Sequence, residues 1–140
     1  MKAEELMIGD WVYNKHHGKN IRLTQYDFFN HTHNEFGEQE LMPCARPTFG
    51  RDLEPIVLKR IHLTKNGFEA REETDDTEFY YYDCYEINVS FDEGLPEDNI
   101  PPVIFLTIEF AEKSLCMPIE YVHELQQAMR IMGCDKTIEL

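Results

Sequence analysis

The chain has 140 residues, 42% of them hydrophobic, and carries 27 Asp and Glu against 13 Lys and Arg, for a formal net charge of −14. This acidic balance argues against direct nucleic-acid binding, which needs clustered Lys and Arg. No apolar run reaches the roughly 18 residues of a membrane span, and residues 1–5 show no hydrophobic signal segment, so we expect a cytoplasmic protein with no membrane partner. The length fits a single domain over residues 1–140, with an N-terminal β lobe (residues 1–58) and a C-terminal α+β lobe (residues 59–140) as the alternative division.

The first half of the chain predicts short strands separated by turns. Residues 6–13 contain a lead-in, a Gly-Asp turn and an alternating strand, an opening typical of small SH3-like barrels. A second strand is expected over 21–26, and a short one at 41–42 inside an irregular polar stretch. Residues 59–66 are compatible with a two-turn helix that stops at Asn66-Gly67 or with a strand, and the alternation at 60–63 slightly favours the strand.

The second half has clearer periodicity. Over 79–91, a period of two places one set of side chains on one face of a long strand, with a bend or turn expected near 82–84. This face comprises Phe79, Tyr81, Tyr85, Ile87, Val89 and Phe91. Residues 103–110 predict a strand that is buried on at least one face, and a hairpin then leads into a helix over 118–133.

The helix has a clear apolar stripe and recognisable ends. The stripe spans roughly 120° and comprises Tyr121, Val122, Leu125, Ala128, Met129 and Met132. The polar side of the helix comprises Glu120, His123, Glu124, Gln126, Gln127 and Arg130. Pro118 suits the first turn and Gly133 a left-handed end. Residues 137–140 are compatible with a last edge strand. This order of elements predicts an α+β fold with antiparallel sheet and one C-terminal amphipathic helix packed on it.

Three short segments resemble a known family. Residues 121–126, Tyr-Val-His-Glu-Leu-Gln, resemble the Tyr-Val-His-Gln-Leu-Gln signature of small uncharacterised proteins from the genomes, prophages and mobile elements of gut anaerobes. Residues 6–12 are similar to that family's Leu-Arg-Ile-Gly-Asn-Trp/Tyr-Val start. Residues 55–58 and 67–69 are similar to its Pro-Ile-Pro-Leu-Thr and Gly-Phe-Glu block, between which the family has a helix. The chain departs from the pattern at Lys59, where the family has a capping Thr. The resemblance implies a fold family and a mobile-element origin, and it brings no established activity.

Histidines form the best candidate for a metal site. His16 and His17 are adjacent, and the His-x-His pair His31 and His33 has Asp27, Asn34 and Glu35 nearby. A His-x-His pair on an extended segment points both imidazoles to one side, which suits a divalent ion. Because the spacing matches no compact ligand motif, we favour a solvated polar loop and expect no metal or other cofactor. The four Cys residues are scattered, which argues against a zinc knuckle or a disulfide framework.

Acidic residues cluster at two predicted loops. They are Glu69, Glu72, Glu73, Asp75, Asp76 and Glu78 around one hairpin tip, and Asp92, Glu93, Glu97 and Asp98 in the next loop. Solubility is the ordinary explanation for such clusters, and imitation of DNA phosphates is the alternative. Tyr80, Tyr81, Tyr82 and Tyr85 can stack on bases, but the surrounding acid favours packing within the sheet.

The sequence lacks the common catalytic and phosphate-binding motifs. It contains no phosphate-binding Gly-rich loop, no nucleophile elbow and no His-Glu-x-x-His, and His123 has no visible nucleophile to serve as a general base. We therefore favour a non-enzymatic accessory protein, related to phages or mobile elements, that acts by binding another protein. The alternatives are an acidic DNA mimic that inhibits a nucleic-acid-binding protein, and a metal-binding protein that uses the four histidines.

Overall fold

A computed structural model describes residues 6–24, 29–33, 39–43, 53–73, 77–82 and 86–140, with 29–33, 39–43, 72 and 73 described by their backbone alone. The chain divides into two compact units, residues 1–56 and 57–140. The strands are Trp11–Asn14 (β1), Lys19–Arg22 (β2), Phe29–His33 (β3), Gln39–Pro43 (β4), Leu53–Pro55 (β5), Glu69–Glu73 (β6), Thr77–Tyr82 (β7), Ile87–Asp92 (β8), Val103–Phe110 (β9) and Lys113–Ile119 (β10). The α-helices are Arg60–Lys65 (α1) and Val122–Ile131 (α2), and Pro96–Asp98 forms one turn of 3-10 helix.

The first unit contains two small antiparallel sheets. One has the order β2-β1-β5 and the other is the β3-β4 hairpin. A turn at the predicted Gly-Asp pair starts the first sheet, because the Gly9 N–H donates to the Leu23 carbonyl (2.7 Å) and the Leu23 N–H donates to the Asp10 carbonyl (2.8 Å). The apolar core of this unit contains Leu6, Val12, Leu23 and Leu53. In the described residues neither sheet closes on itself, so an SH3-like barrel stays a prediction.

The second unit is built on one five-stranded sheet. Its order is β10-β9-β8-β7-β6, and every neighbouring pair is antiparallel. The α+β class with antiparallel sheet is therefore confirmed. One face of the sheet supplies buried side chains from four strands, namely Tyr80, Ile87, Val89, Phe91, Leu106, Ile108 and Ile119.

The strand face predicted over residues 79–91 is correct for Ile87, Val89 and Phe91 and wrong for Phe79 and Tyr81. Residues 79–91 belong to two strands, β7 and β8, and Tyr80 lies opposite Val89. Tyr80 is buried with Val89, whereas Phe79 and Tyr81 occupy the other face and are only half-buried. Alternation holds only along a continuous strand, and the register of a hairpin decides which residues of its two strands share a face. The predicted reversal near 82–84 occurs between the two strands, and residues 83–85 lie outside the described residues.

Helix α1 overturns the slight preference for a strand at 60–63. The Lys59 N–H donates to His62 Nδ1 (3.0 Å), which satisfies a backbone donor at the start of the helix. Gly67 has a φ of +84° and the Phe68 N–H donates to the Leu63 carbonyl (3.0 Å), so the helix ends in a Schellman turn. Leu63 and Phe68 are both buried, as the hydrophobic contact of that motif requires.

Helix α2 is shorter than predicted, because Pro118 lies in β10 and the helix begins at Val122. Its end is as predicted: Gly133 has a φ of +85° and the Cys134 N–H donates to the Met129 carbonyl (2.8 Å). The apolar stripe is buried except for the half-buried Tyr121. No helix in the described part of the chain has the length and apolar character that a membrane crossing needs.

The buried arc of α2 is wider than its apolar stripe. His123 and Gln126, expected on the polar face, are 6% and 2% exposed. Gln126 Nε2 donates to the Lys136 carbonyl (3.2 Å), and its Oε1 accepts from the Ile138 N–H (2.6 Å). The C-terminal segment therefore contacts a second side of the helix. The edge strand considered for 137–140 does not form, and the Gln126 amide bonds the backbone of this segment instead.

Candidate functional site

A cleft of about 890 Å³ lies at one end of the five-stranded sheet. Its floor includes a cross-strand row in which Phe91 lies opposite Ile104 and Ile104 lies opposite Ile119. Phe91, Ile119 and the neighbouring Leu58 are all buried. The floor of the cleft is therefore apolar and belongs to the packed core of this unit.

The segment before α1 forms one wall of the cleft. Val57 makes an isolated antiparallel bridge with Tyr121, and the Leu58 N–H donates to the Glu120 carbonyl (2.9 Å). These backbone contacts join the segment to the chain just after β10. They hold the first turn of α1 at the cleft.

Arg60 is the central charged residue of the cleft. Its Nε donates to Glu78 Oε2, its Nη2 lies 3.9 Å from Glu93 Oε1, and its guanidinium carbon lies 5.1 Å from the centre of the Phe91 ring. The hydrogen bond that Arg60 donates to the Glu78 carboxylate raises the pKa of Arg60 above its ordinary value. The guanidinium thus covers part of the apolar floor, while two carboxylates balance its charge.

The carboxylates near α2 have partners within the same unit. Glu124 Oε2 accepts from the Glu120 N–H (2.7 Å) and the Tyr121 N–H (3.0 Å), so it caps the helix. A hydrogen bond to the Glu120 carboxylate raises the pKa of the Tyr121 phenol. These contacts fix the two carboxylates at the edge of the cleft.

Apolar side chains at the edge of the cleft are unusually exposed. Ile61 is 64% exposed and Val103 is 42% exposed, and Pro102 and Pro118 also line the cleft. Apolar surface that surrounds a concave site is typical of a place where another molecule binds. The cleft can therefore take an apolar group from another molecule, with charged groups around it.

The acidic loop of residues 92–101 lies next to the cleft. Two of its residues, Asp92 and Glu93, line the cleft. Leu95 and Ile100 exchange two backbone hydrogen bonds of 3.0 Å, and Asp92 Oδ1 accepts from the Gly94 N–H (2.8 Å). A Cβ at Gly94 would lie 2.3 Å from the Ile100 carbonyl oxygen, so only glycine fits there. This loop is a closed hairpin held by its own backbone.

The predicted histidines belong to the first unit, whereas the cleft is lined by residues of the second unit. His16 and His17 lie in the exposed turn between β1 and β2, with ring centres 5.0 Å apart. His31 and His33 lie in β3, opposite Leu41 and Gln39, and their side chains lie outside the described part of the structure. Among the described residues no group of three or more His, Cys, Asp or Glu is arranged to hold a metal ion. The metal hypothesis stays a prediction.

The other predicted site residues are dispersed. His123 is buried against Tyr121, with ring centres 5.7 Å apart, so it is not solvent-exposed. In the first acidic cluster, Glu78 bonds Arg60, and residues 74–76 lie outside the described residues. The second cluster lies in the closed hairpin loop beside the cleft.

Sequence reasoning missed the cleft itself. Its floor joins residues from three strands and its wall depends on a backbone hydrogen bond between Leu58 and Glu120, which no local pattern reveals. The only available signal was the exposed position of Ile61, once 60–65 is recognised as a helix. Comparison of the chain with known protein families, with curated proteins and with solved structures finds no match.

Proposed function

We propose that the protein binds another protein and that the cleft at the end of the five-stranded sheet receives an apolar side chain of the partner. The proposal includes a cytoplasmic location and a relationship to the mobile-element family that the sequence resembles. One observation carries it. Ile61 and Val103, both exposed, line a concave site of about 890 Å³ whose floor is packed core.

The cleft has an apolar floor and a charged rim, and this arrangement supports a protein partner. Protein interfaces concentrate their binding energy in a small apolar centre surrounded by a polar rim. Here two charged residues of the rim already have internal partners, since Arg60 bonds Glu78 and Glu124 caps α2. An incoming apolar side chain can then displace water from the floor without leaving a buried charge unpaired.

Affinity purification from the native host tests the proposal. The baits are the wild-type protein, an Ile61→Ser/Val103→Ser double variant and an Ile131→Ser variant as the matched control. Ile131 is 70% exposed and does not line the cleft. We expect a protein retained by the wild type and by Ile131→Ser but lost by the double variant. Its affinity, measured with both proteins purified, should fall by about tenfold or more in the double variant.

The proposal fails if no protein distinguishes the wild type from the double variant, or if Ile131→Ser loses the same protein. Circular dichroism and thermal unfolding of all three baits establish that each is folded. Because the replaced side chains are exposed, their substitution should change the free energy of unfolding by less than about 0.5 kcal/mol.

A further inference from the structure

The second unit carries most of the negative charge of the protein. Residues 57–140 contain 7 Lys and Arg and 18 Asp and Glu, so this unit supplies a charge of −11 to the total of −14. The residues that line the cleft follow the same balance, with two cations, Lys59 and Arg60, and four carboxylates. One of the two cations is already matched, because Arg60 bonds Glu78 and lies near Glu93.

The loop beside the cleft combines apolar and acidic groups on a rigid frame. Leu95 and Ile100 are exposed at the base of the hairpin, and Glu97 and Asp98 are exposed at its tip. The reciprocal hydrogen bonds between Leu95 and Ile100 hold this arrangement without a contribution from a partner. A surface that is ordered before binding loses little conformational entropy when it binds.

The loop and the cleft together form an acid-rimmed surface, defined as the cleft lining and residues 92–101. Its apolar groups need an apolar partner surface, and its excess carboxylates favour a cationic one. A second copy of the chain is a poorer match for this surface, because it carries the same net charge of −14 and the two copies repel each other. From this complementarity we propose that the partner docks through a basic segment, rich in Lys or Arg, that carries apolar anchor residues. This inference rests on the proposed function and names the chemistry of the partner.

Three synthetic peptides of equal length provide the test. The first alternates Leu and Lys as an amphipathic segment, the second has Glu in place of Lys, and the third has Gln in place of Leu. Binding is measured by fluorescence anisotropy at low and high salt, and the contacted residues are mapped by amide chemical-shift changes. We expect the Leu/Lys peptide to bind at the acid-rimmed surface and to lose affinity as salt rises. The other two peptides should bind about tenfold more weakly or worse.

Two sets of charge variants separate local recognition from general attraction. Glu93→Gln/Glu97→Gln/Asp98→Asn removes three charges from the surface. Glu69→Gln/Glu109→Gln/Glu112→Gln removes three exposed charges that do not line the cleft or lie in the loop. The first set should weaken the Leu/Lys peptide about tenfold, and the second set by less than about twofold, since screening limits charge effects to about 8 Å at physiological salt.

The outcomes distinguish this inference from the proposed function. Equal weakening by the two charge sets would overturn the inference, as would equal binding of the Leu/Glu peptide, which would leave an apolar docking cleft in place. Binding that is indifferent to Ile61→Ser/Val103→Ser would instead overturn the proposed function. A failure of the Leu/Lys peptide to bind would overturn the inference and leave the proposed function to the affinity purification.

Discussion

Asn66 and Glu139 lie 73 residues apart and are joined by two hydrogen bonds of 2.7 Å. Asn66 Nδ2 donates to the Glu139 carbonyl, and the Glu139 N–H donates to Asn66 Oδ1. The same Nδ2 also donates to the His62 carbonyl (2.7 Å). Asn66 is 5% exposed, so one buried amide ties the end of α1 to the C-terminal segment.

The first prediction concerns this amide. Asn66→Asp keeps an acceptor for the Glu139 N–H but removes both donors, and it places a charge at a buried position. We expect a loss of about 1–3 kcal/mol in the free energy of unfolding, the cost of leaving buried carbonyl groups unsatisfied. Urea unfolding measures it. Lys65→Ala, at an exposed neighbouring position, should change the same quantity by less than about 0.5 kcal/mol. Similar small changes in both variants would contradict the role assigned to Asn66.

The second prediction tests the packing of α2 on the sheet. Leu125 and Leu106 are both fully buried. Leu125→Ala should cost about 2–5 kcal/mol, whereas Ile131→Ala, at an exposed position on the same helix, should cost far less. A double-mutant cycle between Leu125→Ala and Leu106→Ala should give a coupling energy above about 0.5 kcal/mol if the two side chains touch. Additive effects would place the buried side of the helix against some other surface.

The third prediction concerns pH. Burial, together with the charges of Lys59 and Lys65, holds the pKa of His62 below its ordinary 6.5. The unfolded state therefore binds the proton more readily, and stability should fall as pH drops from 6.5 towards the lower pKa of the folded state. Protonation also removes the Nδ1 acceptor of the Lys59 N–H. Well above pH 6.5, where the imidazole is neutral in both states, this contribution is fully present.

Chemical unfolding of the wild type and of His62→Gln from pH about 8 to about 5 isolates this effect, because a Gln amide oxygen does not titrate. The other histidines contribute equally to both proteins. The difference in stability between the two should therefore change below pH about 6.5 in the direction that favours His62→Gln. Parallel pH curves would show that His62 is not linked to folding.

Local patterns predict those parts of this fold that depend on neighbouring residues. The strand Val103–Phe110 has the predicted bounds, and Gly133 ends α2 as expected, because both depend on residues close in sequence. The alternation at 60–63 favours a strand, whereas the structure has helix α1 there. The hydrogen bond to His62 and the Schellman turn at Gly67 stabilise this helix, and hydrophobic periodicity does not detect either of them. The local pattern of 59–66 leaves a helix open as the alternative, and the resembled family also has a helix there.

Contacts between residues that are far apart in the chain could not be predicted from local patterns. The helical pattern predicts Gln126 on the polar side of α2, but this residue is buried, because its amide bonds the backbone of Lys136 and Ile138. The cleft depends in the same way on the contact of Leu58 with Glu120 and of Arg60 with Glu78. An amide side chain has both donors and an acceptor, so it counts as polar in any local pattern. The pattern does not show whether the amide bonds water or buried backbone groups.

The fourth prediction concerns metal. Because the four histidines match no compact ligand motif, we expect elemental analysis of purified, untagged protein to find no stoichiometric zinc, nickel or iron. One equivalent of metal that is lost in a His31→Ala/His33→Ala double variant would contradict this expectation. A His16→Ala/His17→Ala variant serves as the comparison, since these exposed residues occupy the turn between β1 and β2.

The last prediction compares the contributions of the two acidic clusters to partner binding. Replacing Glu72, Glu73, Asp75 and Asp76 with Gln or Asn should leave partner binding intact, and stability should hold or rise slightly, because like charges close together repel one another. The loop variant Glu93→Gln/Glu97→Gln/Asp98→Asn should weaken binding of the same partner. Binding measured with purified proteins and thermal unfolding of both variants provide the comparison.

A DNA mimic would behave in the opposite way. Its partner would be a basic nucleic-acid-binding protein, duplex DNA would compete for the same site, and the fourfold variant would lose the interaction. We expect the fourfold variant to bind normally. A mimic needs carboxylates along a rigid surface at phosphate-like intervals, whereas the rigid acidic loop in the described residues, 92–101, displays its carboxylates beside exposed Leu95 and Ile100. Apolar groups among the charges suit a protein segment with hydrophobic anchors, and a phosphate backbone offers no counterpart to them.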